Sequence, residues 1–415
     1  MGLIKHAAGE TILWERTTSG MRCCFYPKRQ FGEQMAAVVV HYGATGMYWR
    51  KDGTDRPETF PMGAAHFIEH KLFQQPWGDA FAAFSENGAS ANAFTDGRRT
   101  VYYFTCRTQF LEHLRRLLEF VQTPYFMRED VEKEKGIITS EIALYEDRPD
   151  WAAYQQMMEM MYQNHPIRFP VAGTVESVEK TTAEQLRRIY DVCYLPQTFL
   201  LICCGDVEPR KVMELAERVP RREKIGELVY PRESTQIQER YRERILSLRQ
   251  PIFHIGFKLC PQQIQLREKA AMELLLELWA GESSAFFEEA YEKELLDEPL
   301  SSMFEHGEGY AFCAFSGGGS HGEETAELLV QAWNTLRRQG IERKAFERVQ
   351  KKKIGQTLRL FQSVTATGMA QMDLAQYEAD LSDWFRSVKE LQKQDVEKWL
   401  QNTRMEDKMV LSVIR

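Results

Sequence analysis

Hydrophobic and polar positions along the chain predict strands and helices in mixed order. Residues 35–43, MAAVVVHYG, form an apolar run that predicts a buried strand, and residues 100–106, TVYYFTC, predict its antiparallel neighbour. Residues 108–124, TQFLEHLRRLLEFVQTP, carry apolar side chains at helical spacing. Residues 128–148 alternate in charge and lack proline, which predicts a long helix that ends before Pro149. The fold class is therefore predicted to be α+β.

The second half of the chain repeats this plan. QPIFHIGFK at 250–258 predicts a strand, and REKAAMELLLELWAG at 267–281 predicts the helix that follows it. Between the halves, residues 220–240 are polar and contain two prolines, which is typical of a linker. The pattern predicts two homologous domains, residues 1–219 and residues 241–415.

The sequence AAHFIEHKLF contains His66, Glu69 and His70 in the order H-x-x-E-H. On a helix the two histidines are four residues apart and share a face with the glutamate, so two imidazoles can bind one Zn²⁺ beside a carboxylate. This is the reverse of the H-E-x-x-H zinc motif. A surface helix with two unrelated histidines remains the alternative until a third ligand is found, because catalytic zinc takes about three protein ligands.

Glu134 and Glu141 supply two candidates for that third ligand. They lie seven residues apart on the predicted long helix, so they project within about 20° of each other and about 10 Å apart along its axis. One of them can bind the metal while the other stands behind it.

The internal repeat provides a control for the motif. Aligning AAHFIEHKLF with AAMELLLELW places Met272, Leu275 and Leu276 at the three motif positions. A helix built only for packing needs hydrophobic side chains there. The polar residues of the first domain are therefore predicted to have a function, and the second domain is predicted to be metal-free.

Several motifs together resemble the M16 metallopeptidases, the pitrilysin, insulinase and mitochondrial processing peptidase family. H-x-x-E-H is followed by E-x(6)-E, and GASANAFTDGRRTVYYF and EIALYEDRPDW resemble further family segments. The resemblance is strong through about residue 210 and is closest to short bacterial members that work in pairs of chains. It implies two homologous domains, each a mainly antiparallel sheet covered by helices, in a half-clamshell.

The resemblance also implies a role for each motif residue. His66, His70 and Glu141 would bind one Zn²⁺ per chain, Glu69 would be the general base, and Glu134 would orient a ligand from behind. The implied function is that of a zinc-dependent endopeptidase subunit that hydrolyses extended or unfolded peptides. The alternative is a non-catalytic scaffold or assembly subunit, which is expected to have lost these ligands. A di-metal oxidase bundle would need E-x-x-H on two helices, and the chain lacks that pattern.

Asn92 and Ala93, in GASANAFT, are the implied substrate-binding residues. They are expected on an edge strand, to which an extended peptide can add through main-chain hydrogen bonds. The alternative for Asn92 is a turn residue.

The second domain departs from the family at the substrate clamp, an Arg followed seven residues later by a Tyr. No arginine occurs between Arg267 and Arg337; Tyr291 stands roughly at the Arg position, and Asp297–Leu300 stand where the Tyr is expected. The resemblance therefore implies a second M16-like chain that supplies the clamp in a heterodimer, with a homodimer as the alternative.

Composition narrows the remaining possibilities. A net charge of −7 over 415 residues, with short basic clusters interrupted by acids, argues against nucleic-acid binding. Eight cysteines, two adjacent pairs and four scattered residues without C-x-x-C, are typical of free thiols in a reducing compartment. No apolar run suits a signal peptide or a membrane span, so a cytoplasmic protein without membrane contact is expected.

Overall fold

The computed structural model describes residues 3–7, 9–29, 31–260, 263–403 and 405–415. The chain forms two compact units. Unit 1 comprises Met1–Ile142, Pro170–Val229 and Thr357–Asp383, and unit 2 comprises Ala143–Phe169, Tyr230–Gln356 and Trp384–Arg415.

The described strands, in chain order, are β1 (Leu3–Ala7), β2 (Glu10–Arg16), β3 (Arg22–Pro27), β4 (Gln34–Val40), β5 (Tyr48–Lys51), β6 (Glu58–Thr59), β7 (Gln74–Gln75), β8 (Gly78–Asp79), β9 (Ala89–Thr95), β10 (Thr100–Cys106), β11 (Leu200–Gly205), β12 (Gly226–Leu228), β13 (Tyr241–Arg244), β14 (Ile252–Lys258), β15 (Ser301–Gly307), β16 (Tyr310–Gly318) and β17 (Met409–Ile414).

The described α-helices are α1 (Ala64–Leu72), α2 (Ala80–Ser85), α3 (Phe110–Gln122), α4 (Arg128–Glu146), α5 (Pro149–Met161), α6 (Val175–Lys180), α7 (Ala183–Cys193), α8 (Pro209–Ala216), α9 (Leu266–Ala280), α10 (Ala285–Glu292), α11 (Gly322–Gln339), α12 (Arg343–Leu360), α13 (Val364–Leu374), α14 (Leu381–Glu390) and α15 (Lys393–Asn402). Short 3₁₀ turns lie at Pro166–Arg168, Pro196–Thr198 and Ala375–Tyr377.

Unit 1 is built on a seven-stranded sheet in the order β1-β2-β3-β11-β4-β10-β9. β4 and β10 pair antiparallel with Val38 opposite Tyr102, which confirms the predicted pairing of these two strands. Helix α3 packs on β10 and β4, while α13 packs on β4 and β11. Because helices contact β4, its sequence is a continuous apolar run rather than an alternating one. β9 lies at the sheet edge.

Unit 2 repeats the arrangement around a five-stranded sheet in the order β13-β17-β14-β16-β15. This order matches β3-β11-β4-β10-β9 of unit 1, including one parallel pair beside antiparallel ones. Helix α9 packs on β15 as α1 packs on β9. Met272, Leu275 and Leu276 are buried, so the helix equivalent to α1 is indeed filled with hydrophobic side chains.

One helix of each half packs on the sheet of the other half. α5 contacts β14 and β17 within unit 2, and α13 contacts β4 and β11 within unit 1. Two glycines permit these approaches: a Cβ on Gly256 would lie 2.7 Å from Met157 Sδ, and one on Gly368 would lie 2.5 Å from Met35 Sδ. The compact units therefore differ from the predicted halves 1–219 and 241–415 by one helix each. α5 comes from the first half but belongs to unit 2, and α13 comes from the second half but belongs to unit 1.

Part of the segment predicted to form a linker, residues 220–240, is the strand β12. β12 pairs with β5, and the division between the two units falls after Val229. Within the described part of the chain, no helix has the length and apolar character that crossing a membrane requires.

Candidate metal centre

Helix α1 is held in place from its first residue. Gly63 precedes it with φ 80°, and a Cβ there would lie 2.3 Å from the carbonyl oxygen of Ala172, so only glycine fits. Almost every residue of α1 is buried, and the helix packs on β9, β10 and α7. His66 and Glu69 of the H-x-x-E-H motif are therefore buried, while His70 is partly exposed.

Glu141 on α4 brings its carboxylate to the two motif histidines. Its Oε2 lies 3.7 Å from His66 Nε2 and 3.3 Å from His70 Nε2. The imidazole centroids of the two histidines are 4.5 Å apart. All three donor atoms lie within 4.8 Å of one another. Among the described residues, this is the group of His, Cys, Asp or Glu side chains close enough to hold one metal ion.

The donor set fits zinc. Tetrahedral zinc has ligands at roughly 2.0–2.2 Å, which puts neighbouring donor atoms about 3.4 Å apart. The separations from Glu141 to the two imidazoles bracket that value. Two imidazole nitrogens and one carboxylate oxygen also match the His₂Glu composition of catalytic zinc sites.

Electrostatics differ between the two histidines. Burial lowers the pKa of His66 to about 4, and the neighbouring His70 adds to this decrease. The imidazole of His66 is therefore neutral and able to bind a metal. Burial alone would lower the pKa of His70 as well, but hydrogen bonds to Glu134 and Glu141 outweigh it and raise the pKa to about 9.

Glu134 lies on the side of His70 that faces away from Glu141, about two turns earlier on α4. Its Oε1 lies 3.0 Å from His70 Nδ1, and its Oε2 accepts a 2.6 Å hydrogen bond from Gln74 Nε2. Gln74 Oε1 in turn accepts a hydrogen bond from the ammonium of Lys71. Of the two glutamates that the sequence left open, Glu141 faces both imidazoles and Glu134 contacts the far side of one.

Glu69 lies on the same helix as the two histidines and is 8% exposed. Burial raises its pKa to about 6, although a 2.6 Å hydrogen bond from Thr95 Oγ1 to Glu69 Oε2 opposes the increase. The neighbouring His70 and Glu141 also influence this pKa, in opposite directions. This carboxylate is therefore close to the metal ligands and titrates near neutral pH.

Asn92 and Ala93 lie in β9, the edge strand, where they pair with Tyr103 and Tyr102 of β10. Asn92 is thus a strand residue, not a turn residue. Its Oδ1 accepts a 2.8 Å hydrogen bond from Ala93 N–H. Pairs in an antiparallel ladder alternate between hydrogen-bonded and non-hydrogen-bonded ones, and the bond from Asp96 N–H to the Arg99 carbonyl makes Ala93–Tyr102 a non-hydrogen-bonded pair. The N–H of Ala93 therefore points away from β10, toward the open edge.

Three residues of the site were not predicted from the sequence: Thr95, Lys71 and Gln74. Thr95 follows Asn92 by three residues on β9, and Gln74 follows His70 by four, a spacing that brings side chains together on a helix. α1 ends at Leu72, however, so helical spacing alone did not place Gln74 beside Glu134.

Comparison with known proteins identifies the family of this chain. The family model described as insulinase, peptidase family M16, matches residues 56–175, and the one described as peptidase M16 inactive domain matches residues 180–353. YmfH of Bacillus subtilis, described as an uncharacterized zinc protease, is 33% identical over 417 residues, covering 97% of this chain and 96% of that protein.

Solved structures show the same fold. An M16-like peptidase from Alicyclobacillus acidocaldarius is 28% identical and superimposes with a TM-score of 0.93 over 99% of both chains. The periplasmic protease PqqL of Escherichia coli, 17% identical, matches 97% of this chain but 47% of its own length, with a TM-score of 0.75. This chain therefore spans about half of PqqL. With its two M16 domains and a full-length relative at 33% identity, the chain belongs to the insulinase family, peptidase family M16.

Proposed function

We propose that this chain is a zinc-dependent endopeptidase subunit that hydrolyses extended or unfolded peptides. The observation that carries the proposal is the convergence of His66 Nε2, His70 Nε2 and Glu141 Oε2 within 4.8 Å of one another. A buried carboxylate with a raised pKa, Glu69, lies beside them. Relatives described as zinc proteases support the same activity.

His66, His70 and Glu141 would hold one zinc ion. Three protein donors are the count of a catalytic site, whereas a structural site takes four. When bound, zinc lowers the pKa of a water molecule and polarises the scissile carbonyl group. Glu134 accepts from Nδ1 of His70, so it orients this imidazole and fixes which nitrogen is free.

Glu69 is the proposed general base. A base works best when its pKa lies near the pH of reaction, and burial brings this carboxyl group to about 6. In its ionised form Glu69 takes a proton from the attacking water, and it then delivers that proton to the leaving amine. Thr95 holds one carboxylate oxygen at 2.6 Å, which orients the group for both transfers.

The edge of β9 is the proposed substrate site. An extended peptide can pair with a free strand edge through its backbone, which requires no particular sequence and excludes folded chains. The N–H of Ala93 is directed to that edge, where it donates its hydrogen bond to the carboxamide oxygen of Asn92. A substrate carbonyl group would replace this carboxamide, and Asn92 could then bind the peptide instead.

A companion chain is proposed to complete substrate binding. Tyr291 stands roughly where an arginine is expected; it lies on α10 and is 61% exposed. The sequence offers no arginine between Arg267 and Arg337. In the proposed heterodimer, a second M16-like chain would supply the Arg and Tyr. A homodimer is the alternative.

A cytoplasmic location is proposed from the cysteines. All eight are free, and seven of them are buried. A protein that dispenses with disulfides in this way suits a reducing compartment.

The rival proposal is a non-catalytic scaffold subunit of an M16-like complex. The match of residues 180–353 to a domain described as inactive favours it, but that domain is the one whose α9 carries hydrophobic residues at the motif positions. A scaffold has no need to keep three converging donors and a base. Metal content and hydrolysis therefore distinguish the two proposals.

The test is zinc content by atomic absorption, measured on the full chain and on His70→Ala and Glu141→Ala. We expect close to one zinc per wild-type chain and a large loss in both variants, because each removes one of three ligands. His321→Ala is the matched control, since this exposed histidine lies far from the motif in sequence and should leave zinc content unchanged. A wild-type chain without zinc, or variants that keep it, would contradict the proposal.

A further inference from the structure

Helix α1 buries a lysine directly after the second motif histidine. Lys71 is 0% exposed, although lysine is almost never fully buried without a partner. Its ammonium donates a hydrogen bond to Gln74 Oε1. The residue therefore brings a positive charge into the core immediately behind the metal centre.

Gln74 connects this charge to Glu134. Its Oε1 accepts from Lys71, and its Nε2 donates to Glu134 Oε2 at 2.6 Å. An ammonium group can only donate and an ionised carboxylate can only accept, so the amide has one possible orientation. Flipping it would place two donors, and two acceptors, against each other.

Glu134 continues the chain to His70. The glutamate is 3% exposed, and its second oxygen lies 3.0 Å from His70 Nδ1. Because the carboxylate accepts, Nδ1 of His70 carries the hydrogen. Nε2 lies 3.3 Å from Glu141 Oε2 and would be the nitrogen that binds the metal. Lys71 thus donates to Gln74, and Gln74 donates to Glu134. His70 donates to the other oxygen of Glu134, so this carboxylate accepts from both sides.

We propose that Lys71 and Gln74 are positioning residues of the metal centre: they hold the carboxylate of Glu134 against His70 Nδ1 and so orient the imidazole that would bind zinc. This inference rests on the proposed zinc site and adds two residues behind it. The positive charge of Lys71 compensates the negative charge of the buried Glu134. Gln74 connects the two groups, because it accepts a hydrogen bond from Lys71 and donates one to Glu134. Removing either leaves a buried charged group without its partner.

The experiment compares zinc affinity of the full chain by competition with a chelator for Gln74→Met, Lys71→Met and the double variant. Partners behind a metal ligand change affinity by about 10–100-fold when removed, so we expect each single variant to weaken zinc binding by that factor. The effects of substitutions within one hydrogen-bonded network are not additive. The double variant should therefore bind zinc about as tightly as the single variant with the lower zinc affinity.

Gln75→Met is the matched control. Gln75 is the neighbouring glutamine and is 5% exposed, but its Nε2 donates to the carbonyl oxygens of Leu72 and Thr123, away from Glu134. This variant should lower thermal stability while its zinc dissociation constant stays at the wild-type value. A purely structural role for Gln74 would instead make Gln74→Met behave like Gln75→Met.

The visible absorption spectrum of the cobalt(II)-substituted chain gives a second readout. It reports the ligand field, so it should shift in Gln74→Met and Lys71→Met and remain unchanged in Gln75→Met. If Gln74→Met fails to fold, Lys71→Met, which keeps the length of the aliphatic side chain, decides alone. Wild-type affinity and an unchanged cobalt spectrum in Lys71→Met or in a folded Gln74→Met would overturn the inference while the zinc site stands. A wild-type chain that binds no zinc would overturn both proposals.

Discussion

At the scale of single residues, burial and one neighbouring hydroxyl determine the pKa of Glu69. Burial raises its pKa to about 6, and the hydroxyl of Thr95 limits that rise by stabilising the ionised form. The same hydroxyl lies on β9, the proposed substrate edge. Thr95 therefore links the strand that would bind the peptide to the carboxylate that would move the proton.

Removing this hydroxyl should change the pH dependence of hydrolysis. In Thr95→Val the pKa of Glu69 loses a contribution that lowers it, so the pKa rises further above the usual value. The base works only when ionised, and activity is lost as the pH falls through its pKa. We therefore expect the acidic limb of kcat/KM to move to higher pH in a pH–rate profile.

Thr95→Ser serves as the conservative control for this prediction, because serine keeps the hydroxyl and should restore the wild-type limb. The two variants must also hold equal zinc, so that loss of metal does not mimic a shift. An acidic limb at the same pH in Thr95→Val and wild type would contradict the role assigned to this hydroxyl.

Spacing explains which site residues could be predicted. His66, Glu69 and His70 lie on one helix, where a fixed periodicity brings side chains together, and Glu134 and Glu141 lie on another. Lys71 and Gln74 could not be found in this way, since their contacts depend on where α1 ends and on how its last turn meets α4. The packing of the end of α1 against α4 leaves no periodic pattern in a single sequence.

At the scale of elements, the helix exchange shows a similar limit. α5 and α13 are apolar enough to cover a sheet, but nothing in their sequences states which sheet. The internal repeat predicted equivalent strands and helices, and the matching strand orders confirm it. The choice of partner is made by tertiary contacts such as Met157 against Gly256.

The segment after α5 is fastened by a buried ion pair within unit 2. Glu233 accepts hydrogen bonds from the backbone N–H groups of Gln163, Asn164 and His165, and from Lys258 Nζ at 2.7 Å. Both charged side chains are 1% exposed. This pair joins the end of α5, the predicted linker and β14.

Breaking the pair should destabilise the protein strongly. In Lys258→Met the carboxylate of Glu233 stays buried without its cation, and we expect the free energy of unfolding in urea to fall by about 3–5 kcal/mol. Adding Glu233→Gln removes the unpaired charge but keeps an oxygen for the backbone N–H groups. The double variant should therefore be more stable than Lys258→Met alone; an equal or lower stability would contradict this account.

The pH dependence of this contribution follows from Glu233. Burial alone would raise its pKa, but Lys258 and the three backbone donors hold the pKa below the usual value. A group with a lowered pKa in the folded state stabilises the protein above its unfolded pKa, about 4.3 for glutamate. The stabilisation is lost as the pH falls through the folded value, and Glu233→Gln should be less sensitive to that acidification.

At the scale of the whole molecule, the chain combines one candidate metal centre with a second domain whose described helix α9 carries hydrophobic side chains at the motif positions. No arginine occurs between Arg267 and Arg337, where the family resemblance implies a substrate clamp. The family and its two-domain α+β fold could be predicted from the sequence, because many motifs agree over a long stretch. The proposed companion chain could not be predicted in detail, because the residues that it would supply lie outside this chain.

A companion M16-like chain that carries the Arg and Tyr should raise peptide hydrolysis by this chain. The expected gain is in kcat as well as in KM, because positioning the scissile bond over the metal matters most in the transition state. The measurement is steady-state kinetics on an unstructured peptide, with and without the companion, and replacing the companion's Arg with Ala should remove most of the gain. Full activity of this chain alone, unaffected by any added member of the family, would favour a self-sufficient monomer or homodimer.

The most direct test of the central claim is single-turnover hydrolysis of an unstructured peptide by zinc-loaded wild type and Glu69→Gln, with the chain in excess over the peptide. Glutamine keeps the size of the side chain and is not a ligand, so both proteins should hold close to one zinc. We expect the variant to lose hydrolysis by a factor of about 10²–10⁴, the usual contribution of a general base. Cleavage by Glu69→Gln at the wild-type rate, with equal zinc, would contradict the account.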